Sequence, residues 1–95
     1  MSDEELQTIW QQSIDHYGTQ LQSIVCMEEC AELTQAISKK LREPMSPNDH
    51  LAEEMADVII CLHLLKMMYG ITDKAISDFV EAKTLRQAER MEEES

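Results

Sequence analysis

The chain has 95 residues, which is enough for one domain over positions 1–95 and too few for two. Its 2 glycines, 2 prolines and 4% aromatic residues argue against a turn-rich β protein and favour long helices around an aliphatic core. The formal charge of -11, from 8 basic and 19 acidic residues, argues against binding to nucleic acid or to an anionic membrane surface, because phosphate contacts require clustered Lys and Arg.

The first predicted element is a helix that begins near Asp3. Ser2 and Glu5 have the spacing of a capping box, and Gly18 interrupts the helical pattern. Five apolar or aromatic residues fall on one stripe of this helix: Leu6, Ile9, Trp10, Ile14 and Tyr17.

A second helix is predicted from about Thr19 to Arg42, and the segment 43–49, which contains Pro44, is predicted to be a loop. In that loop Ser46 is the expected N-cap of the third helix, with Pro47 at its first position.

The third helix is expected to continue to about Tyr69 and to stop at Gly70. Thr72 or Asp73 then caps a fourth helix that reaches about Glu89 or beyond, and the acidic tail 91–95 is expected to fray. Four helices with short connections predict an all-α fold, either a four-helix antiparallel bundle or an arrangement close to it.

No apolar run reaches the roughly 18 residues that a membrane-spanning helix requires. The acidic N-terminus also lacks the hydrophobic segment of a secretory signal. Three cysteines, Cys26, Cys30 and Cys61, are an odd number without CxxC spacing, so we expect free thiols in a reducing, cytoplasmic compartment.

Four acidic residues lie inside the predicted apolar stripes rather than opposite them. Glu29 and Glu32 are three apart on the second helix, and Glu54 and Asp57 are three apart on the third. Solvated faces explain the other acids of the chain. Burying four unpaired carboxylates would be strongly unfavourable unless cations compensated their charge, so this pattern predicts a metal site.

The donor types indicate which metal the site prefers. Four carboxylates without histidine form an all-oxygen set that suits Mg²⁺, with Mn²⁺ as a substitute. Di-iron bundles use Glu-x-x-His instead, which argues against an iron protein. His50 lies four residues before Glu54 and either approaches this site or serves as a loop or helix-cap residue.

Basic residues are few, and three of them share a face of the fourth helix with Gln87: Lys83, Arg86 and Arg90. Lys39 follows Glu32 by about two turns on the acidic face of the second helix. These cations either complement helix-end dipoles or bind phosphate oxygens by charge-assisted hydrogen bonds.

Three motifs together resemble a known family. The segment 28–33 reads EECAEL and fits EExxEL, and the segment 54–58 reads EMADV and fits ExxDV, with 21 residues between Glu32 and Glu54. The segment 83–90 reads KTLRQAER and is similar to the family's trailing basic element. Over about Gln20 to Arg90 the chain resembles the MazG-like all-α nucleoside triphosphate pyrophosphohydrolases, relatives of the dimeric dUTPases.

The resemblance implies Mg²⁺-dependent hydrolysis of a nucleoside triphosphate to the monophosphate and pyrophosphate, a reaction that would clear the nucleotide pool. It assigns metal binding and catalysis to the four acids Glu29, Glu32, Glu54 and Asp57. It assigns phosphate contacts to the cations Lys83, Arg86 and Arg90. Either Glu32 or Glu29 is expected to accept the proton of the attacking water.

The residues that would contact the base or ribose are less well defined by the sequence. Gln22 shares a face with Glu29, and Gln87 lies on the basic face. Trp10 is the only tryptophan. Its place on the apolar stripe favours a role in the core, and base stacking is the alternative.

Two other functional classes are consistent with the same residues. One is a non-catalytic, acidic helical module that binds a partner through its core seam, and the other is a nucleotide sensor that binds with metal but without turnover. Whatever its function, the chain is expected to form a homo-oligomer, either a dimer or a tetramer. The apolar stripe of the first helix and four outward-facing residues of the next two helices, Met27, Ile59, Ile60 and Met67, would otherwise face water.

Overall fold

The structure is a computed structural model that describes all 95 residues, and it contains four α-helices and no strand. The helices are α1 (Asp3–Tyr17), α2 (Thr19–Arg42), α3 (Asp49–Tyr69) and α4 (Asp73–Glu94). The prediction of an all-helical chain is confirmed, as are the bounds of the first two helices.

Local capping signals define most of the helix ends. The capping box of α1 is complete, since the Glu5 backbone N–H donates to Ser2 Oγ at 3.1 Å and the Ser2 N–H donates to Glu5 Oε1 at 3.2 Å. Thr72 caps α4 by accepting from the Ala75 N–H at 3.1 Å. Gly70 ends α3 in the left-handed conformation, with φ of 66°, which residues with a Cβ rarely adopt.

The start of α3 differs from the prediction. Asn48 is the N-cap and Asp49 the first helical residue, not Ser46 and Pro47. The reason is that Ser46 belongs to a turn that closes the preceding loop. Its N–H and its hydroxyl both donate to the Glu43 carbonyl, at 3.0 and 2.7 Å. Its own carbonyl accepts from Lys40 Nζ at 2.6 Å, so Ser46 ties the loop to α2 and does not cap α3.

The acidic tail also differs from the prediction, because α4 remains helical to Glu94. The last turn contains Met91 and three consecutive glutamates, which are good helix formers, and neither glycine nor proline interrupts it. The expected frayed segment is therefore the final turn of a continuous helix.

Packing within the chain is uneven. The helices α2 and α3 form the main packed pair, and α1 lies against both of them over a smaller area. The last helix, α4, packs on none of the others to a comparable extent and has no buried residue. Within one chain the bundle consists of three helices, and α4 extends from it.

The core is small and lies where α1, α2 and α3 meet. It consists of Ile14, Cys26, Cys61 and Leu64, with four partly buried residues packed against it, namely Trp10, Leu65, Met67 and Met68. Met67, which was expected to face outward, therefore belongs to the edge of this core. Only 7 of 95 residues are buried, so the core covers a minor part of the apolar side chains.

The chain exposes more surface than its size requires. A folded monomer of this mass is expected to expose about 5,600 Å² and to have a radius of gyration of about 12.4 Å. The observed values are 7628 Å² and 16.6 Å. Met27, Ile59 and Ile60 are exposed, as predicted. Phe79, Val80 and Leu85 of α4 are exposed as well. None of the four helices has the length and apolar character of a membrane span.

The first prediction concerns this small core. Leu64→Ala should lower the free energy of unfolding by about 2–5 kcal/mol, because it removes buried methyl groups and leaves a cavity between the helices. Leu41→Ala is the matched control, since Leu41 is 77% exposed. Urea denaturation followed by circular dichroism measures both values. Equal destabilisation by the two variants would contradict the assignment of the core.

Candidate metal centre

Four carboxylates from two helices converge on one point. Glu29 and Glu32 project from α2, and Glu54 and Asp57 project from α3. One carboxylate oxygen of each can be chosen so that all four oxygens lie within 4.8 Å of one another. The three-residue spacing on each helix turns both members of a pair toward the facing helix, and the packing of α2 on α3 brings the two pairs together.

Burial distinguishes the members of this acid cluster, defined as Glu29, Glu32, Glu54 and Asp57. Glu54 is buried with 8% of its surface exposed, Glu29 and Asp57 are half-buried, and Glu32 is exposed. The Oε2 atoms of Glu29 and Glu54 are buried without a hydrogen-bond partner. Buried carboxylate oxygens are normally hydrogen-bonded or paired, so these two atoms require a proton or a counter-ion as a partner.

The neighbouring side chains do not supply that counter-ion. No lysine or arginine forms an ion pair with any member of the cluster. The nearest cationic candidate is His50, whose Nδ1 lies 4.0 Å from Glu54 Oε1 and whose side chain is 59% exposed. Of the two alternatives for His50, the structure therefore favours its approach to the acidic site.

The pKa values of Glu29 and Glu54 reflect the excess of negative charge in the acid cluster. Burial, followed by repulsion from Glu32 and Asp57, raises the pKa of Glu29 to about 7. Burial and the same two carboxylates also raise the pKa of Glu54, against a smaller opposing effect of His50. Protonation or a bound cation would relieve the burial and the repulsion that raise these two pKa values.

The donor atoms fit a hard divalent cation. All four candidate ligands are carboxylates, which suit Mg²⁺ or Mn²⁺. The nearby thiol of Cys61 does not change this preference, because burial and the neighbouring Cys26 raise its pKa to about 12 and keep it protonated. All three cysteines are free, as expected.

The predicted phosphate-binding residues fall into two groups. Lys39 lines an open groove beside the acid cluster, together with Glu32 and Glu54. The α4 residues Lys83, Arg86, Arg90 and Gln87 are exposed on a helix that does not pack on α2 or α3. Ile76, Phe79 and Val80 lie on the same side of α4 and are exposed as well, so this side faces no core within the single chain.

Sequence reasoning missed Arg42, which lines the same groove as Lys39. Its position three residues after Lys39 keeps both side chains near one face of α2, and that spacing was the available signal. Arg42 also lies in the last turn of α2, where a cation complements the helix dipole.

The candidate base-binding residues of α1 and α2 have structural partners. Gln22 is buried with 6% of its surface exposed, and its Nε2 donates to Ser13 Oγ, which ties α2 to α1. Burial and this bond give Gln22 a structural role, and its contact with a base or ribose stays a prediction. Trp10 packs against the core and stacks on His63, with ring centroids 4.6 Å apart and planes inclined by 17°. The core assignment of Trp10 is the one the structure supports.

Comparison with known proteins yields no match to this chain, whether with protein-family models, with curated proteins or with solved structures. The class that fold and site define is an all-helical protein with a four-carboxylate candidate metal centre between α2 and α3.

The second prediction concerns pH and the raised pKa of Glu29. Between its ordinary pKa of 4.5 and the folded value of about 7, the native state binds more protons than the unfolded state. The free energy of unfolding of the metal-free protein should therefore fall as pH rises through this interval. Urea denaturation in EDTA at a series of pH values from about 5 to 8 measures the slope.

Glu29→Gln is the control, because a neutral amide at this position cannot titrate. Its stability should depend less steeply on pH than that of the wild type over the same interval. A wild-type slope in this variant would show that other groups cause the dependence.

Proposed function

We propose that this protein is a Mg²⁺-dependent nucleoside triphosphate pyrophosphohydrolase, which converts a nucleoside triphosphate and water to the monophosphate and pyrophosphate. The observation that carries the proposal is the convergence of four carboxylates with two buried, unpartnered oxygens, on Glu29 and Glu54. The order and spacing of the ExxE, ExxD and basic motifs support it, because they resemble the MazG-like family.

Bound Mg²⁺ would supply charge neutralisation and Lewis acidity for attack of water on a phosphorus of the triphosphate. The chain's own residues would bind the ion and accept the proton of the attacking water. Glu29, Glu54 and Asp57 are at least half-buried and would hold the ion in place. Glu32 is exposed and lines the groove, so it is the carboxylate best placed to accept a proton from the attacking water.

The third prediction tests the metal ligands. Glu54→Gln and Asp57→Asn should each lower turnover by about 100-fold or more, since loss of a metal ligand should cost at least as much as loss of its supporting hydrogen bond. In EDTA both variants should melt at or above the wild-type temperature, because each removes like-charge repulsion. Pyrophosphate release and differential scanning calorimetry measure the two effects.

Glu53→Gln is the matched control for this pair. Glu53 adjoins Glu54 in sequence but is exposed and lies outside the acid cluster, so its turnover should stay close to that of the wild type. Near wild-type turnover of Glu54→Gln or Asp57→Asn at saturating Mg²⁺ would show that the ligand assignment is wrong.

Product analysis distinguishes the enzyme from the two other classes. A panel of canonical and damaged nucleoside triphosphates should yield monophosphate and pyrophosphate for at least one base. Binding of nucleotide with Mg²⁺ but without products would identify a sensor. Absence of metal binding in isothermal titration would favour the interaction module.

We also propose that the protein acts as a homo-oligomer, a dimer or a tetramer. The chain exposes about 2,000 Å² more than a compact monomer of its mass, and a standard interface needs only about 800 Å² from each partner. We assign the interface to the apolar side of α4, where Ile76, Phe79 and Val80 are exposed. Lys83, Arg86 and Arg90 would then contact the phosphates of a nucleotide bound at the acid cluster of a neighbouring chain.

The fourth prediction is that sedimentation equilibrium at micromolar concentration detects a dimer or a larger species. Phe79→Glu should shift the equilibrium toward monomer, because a charge would then be buried in the proposed interface. Ser77→Glu adds the same charge to another face of α4 and should leave the mass unchanged. A fully active wild-type monomer across the dilution series would contradict the proposal.

A cytoplasmic location is proposed as well. The three thiols are free, and Cys30 is exposed, which fits a compartment where thiols stay reduced.

A further inference from the structure

An open groove of about 420 Å³ runs from the acid cluster toward the C-terminal end of α2. Two of the candidate metal ligands, Glu32 and Glu54, line it. Lys39, Arg42 and His50 line it as well. The groove therefore joins a candidate cation site to two basic side chains.

The two cations of this groove have no internal anionic partner. The chain contains 19 acidic residues, yet none of its ion pairs includes Lys39 or Arg42. Arg42 Nε donates only to the Ser38 carbonyl of its own helix, at 3.4 Å, which is a long bond. Most of the hydrogen-bonding capacity of both side chains is thus available to a ligand in the groove.

The helix-dipole explanation accounts for charge at this helix end but not for where the side chains lie. Lys39, Lys40 and Arg42 all belong to the last turn of α2. Lys40 donates to the Ser46 carbonyl and so holds the loop. Lys39 and Arg42 instead share the groove with the carboxylates.

The geometry of α2 sets the length of a ligand that would contact both the acid cluster and the basic end of the groove. Lys39 and Arg42 follow Glu32 by seven and ten residues, so their Cα atoms lie about 10 and 15 Å farther along the axis. Their long side chains can reach back over part of this distance. A linear anion that binds a metal at one end and cations at the other fits this arrangement.

We propose that this groove binds the phosphate chain of a metal-bound polyphosphate, with Lys39 and Arg42 holding the phosphates farthest from the acid cluster. The inference rests on the proposed function for its metal, and it extends that function by placing the phosphate chain within one subunit. Lysine provides a point charge and arginine a planar fork for phosphate oxygens, so the pair can hold two neighbouring oxygens.

Isothermal titration with Mg²⁺-tripolyphosphate tests the inference, because this probe has a phosphate chain and no base. Lys39→Ala and Arg42→Ala should each weaken its binding by about tenfold or more, the effect of losing one charge-assisted hydrogen bond. Lys74→Ala is the charge-matched control. Lys74 lies on α4, pairs with Asp78 at 2.7 Å and is 82% exposed, so its loss should leave the affinity unchanged.

Two further measurements separate the groove from the metal site. Mn²⁺ binding followed by electron paramagnetic resonance should be the same in the wild type, Lys39→Ala and Arg42→Ala. Titration with Mg²⁺-citrate, a chelate without phosphate, should show weak binding that neither substitution changes.

Arg42→Lys should recover only part of the tripolyphosphate affinity, since it restores the charge without the fork.

The outcomes for this inference and for the proposed function are distinguishable. Wild-type affinity for tripolyphosphate in both alanine variants would overturn the groove assignment even if the protein hydrolyses nucleotides. A parallel loss of Mn²⁺ binding, or equal sensitivity of citrate binding, would overturn it as well. Selective loss of tripolyphosphate binding in a protein that hydrolyses no nucleotide would support the groove and refute the enzyme.

Discussion

The mutual repulsion of four carboxylates between α2 and α3 is the constraint on which the rest of this structure depends. The two helices can pack only if the contact surface that carries the acid cluster is stabilised elsewhere, or if protons or a cation neutralise its charge. The adjoining core is small, with Cys26, Cys61 and Leu64 as its buried members from these two helices. A bound divalent cation would therefore stabilise the fold as well as create a site, since any ligand that binds only the native state does so.

The small size of the core also explains why the chain exposes so many apolar side chains. The aliphatic core is formed by three helices, and α4 contributes no buried residue to it. The first residue of α4, Asp73, pairs with Lys66 of α3 at 2.8 Å. An exposed helix with apolar residues at several positions is a common source of subunit interfaces. Assembly and metal binding would then serve one purpose, because each supplies free energy that the isolated chain does not obtain from its own core.

The placement of the basic residues connects these features to chemistry. The structure separates the cations into a groove pair beside the acid cluster, Lys39 and Arg42, and a strip on the extended helix. A polyphosphate bound to a metal presents negative charge over a length that a single cation cannot neutralise. A pair within the subunit, with additional cations from a neighbour, would distribute that charge without any large movement of α2 or α3.

The sequence by itself determined the helices and the acid cluster. Capping residues, glycines and apolar stripes are local signals, and the three-residue spacing of Glu29 with Glu32 and of Glu54 with Asp57 fixes a shared face whatever the tertiary fold. It misplaced the start of α3, because Ser46 is also able to close a turn onto α2.

Only the tertiary structure decided what depends on packing between elements. A helical stripe shows that a face is apolar but not whether a partner exists in the same chain, so the exposure of α4 could not be read from its pattern. Gln22 became a structural residue because Ser13 of another helix lies within reach of its amide. Arg42 entered the groove because α3 packs along the same side of α2, and that contact is set by the core rather than by the spacing of charges.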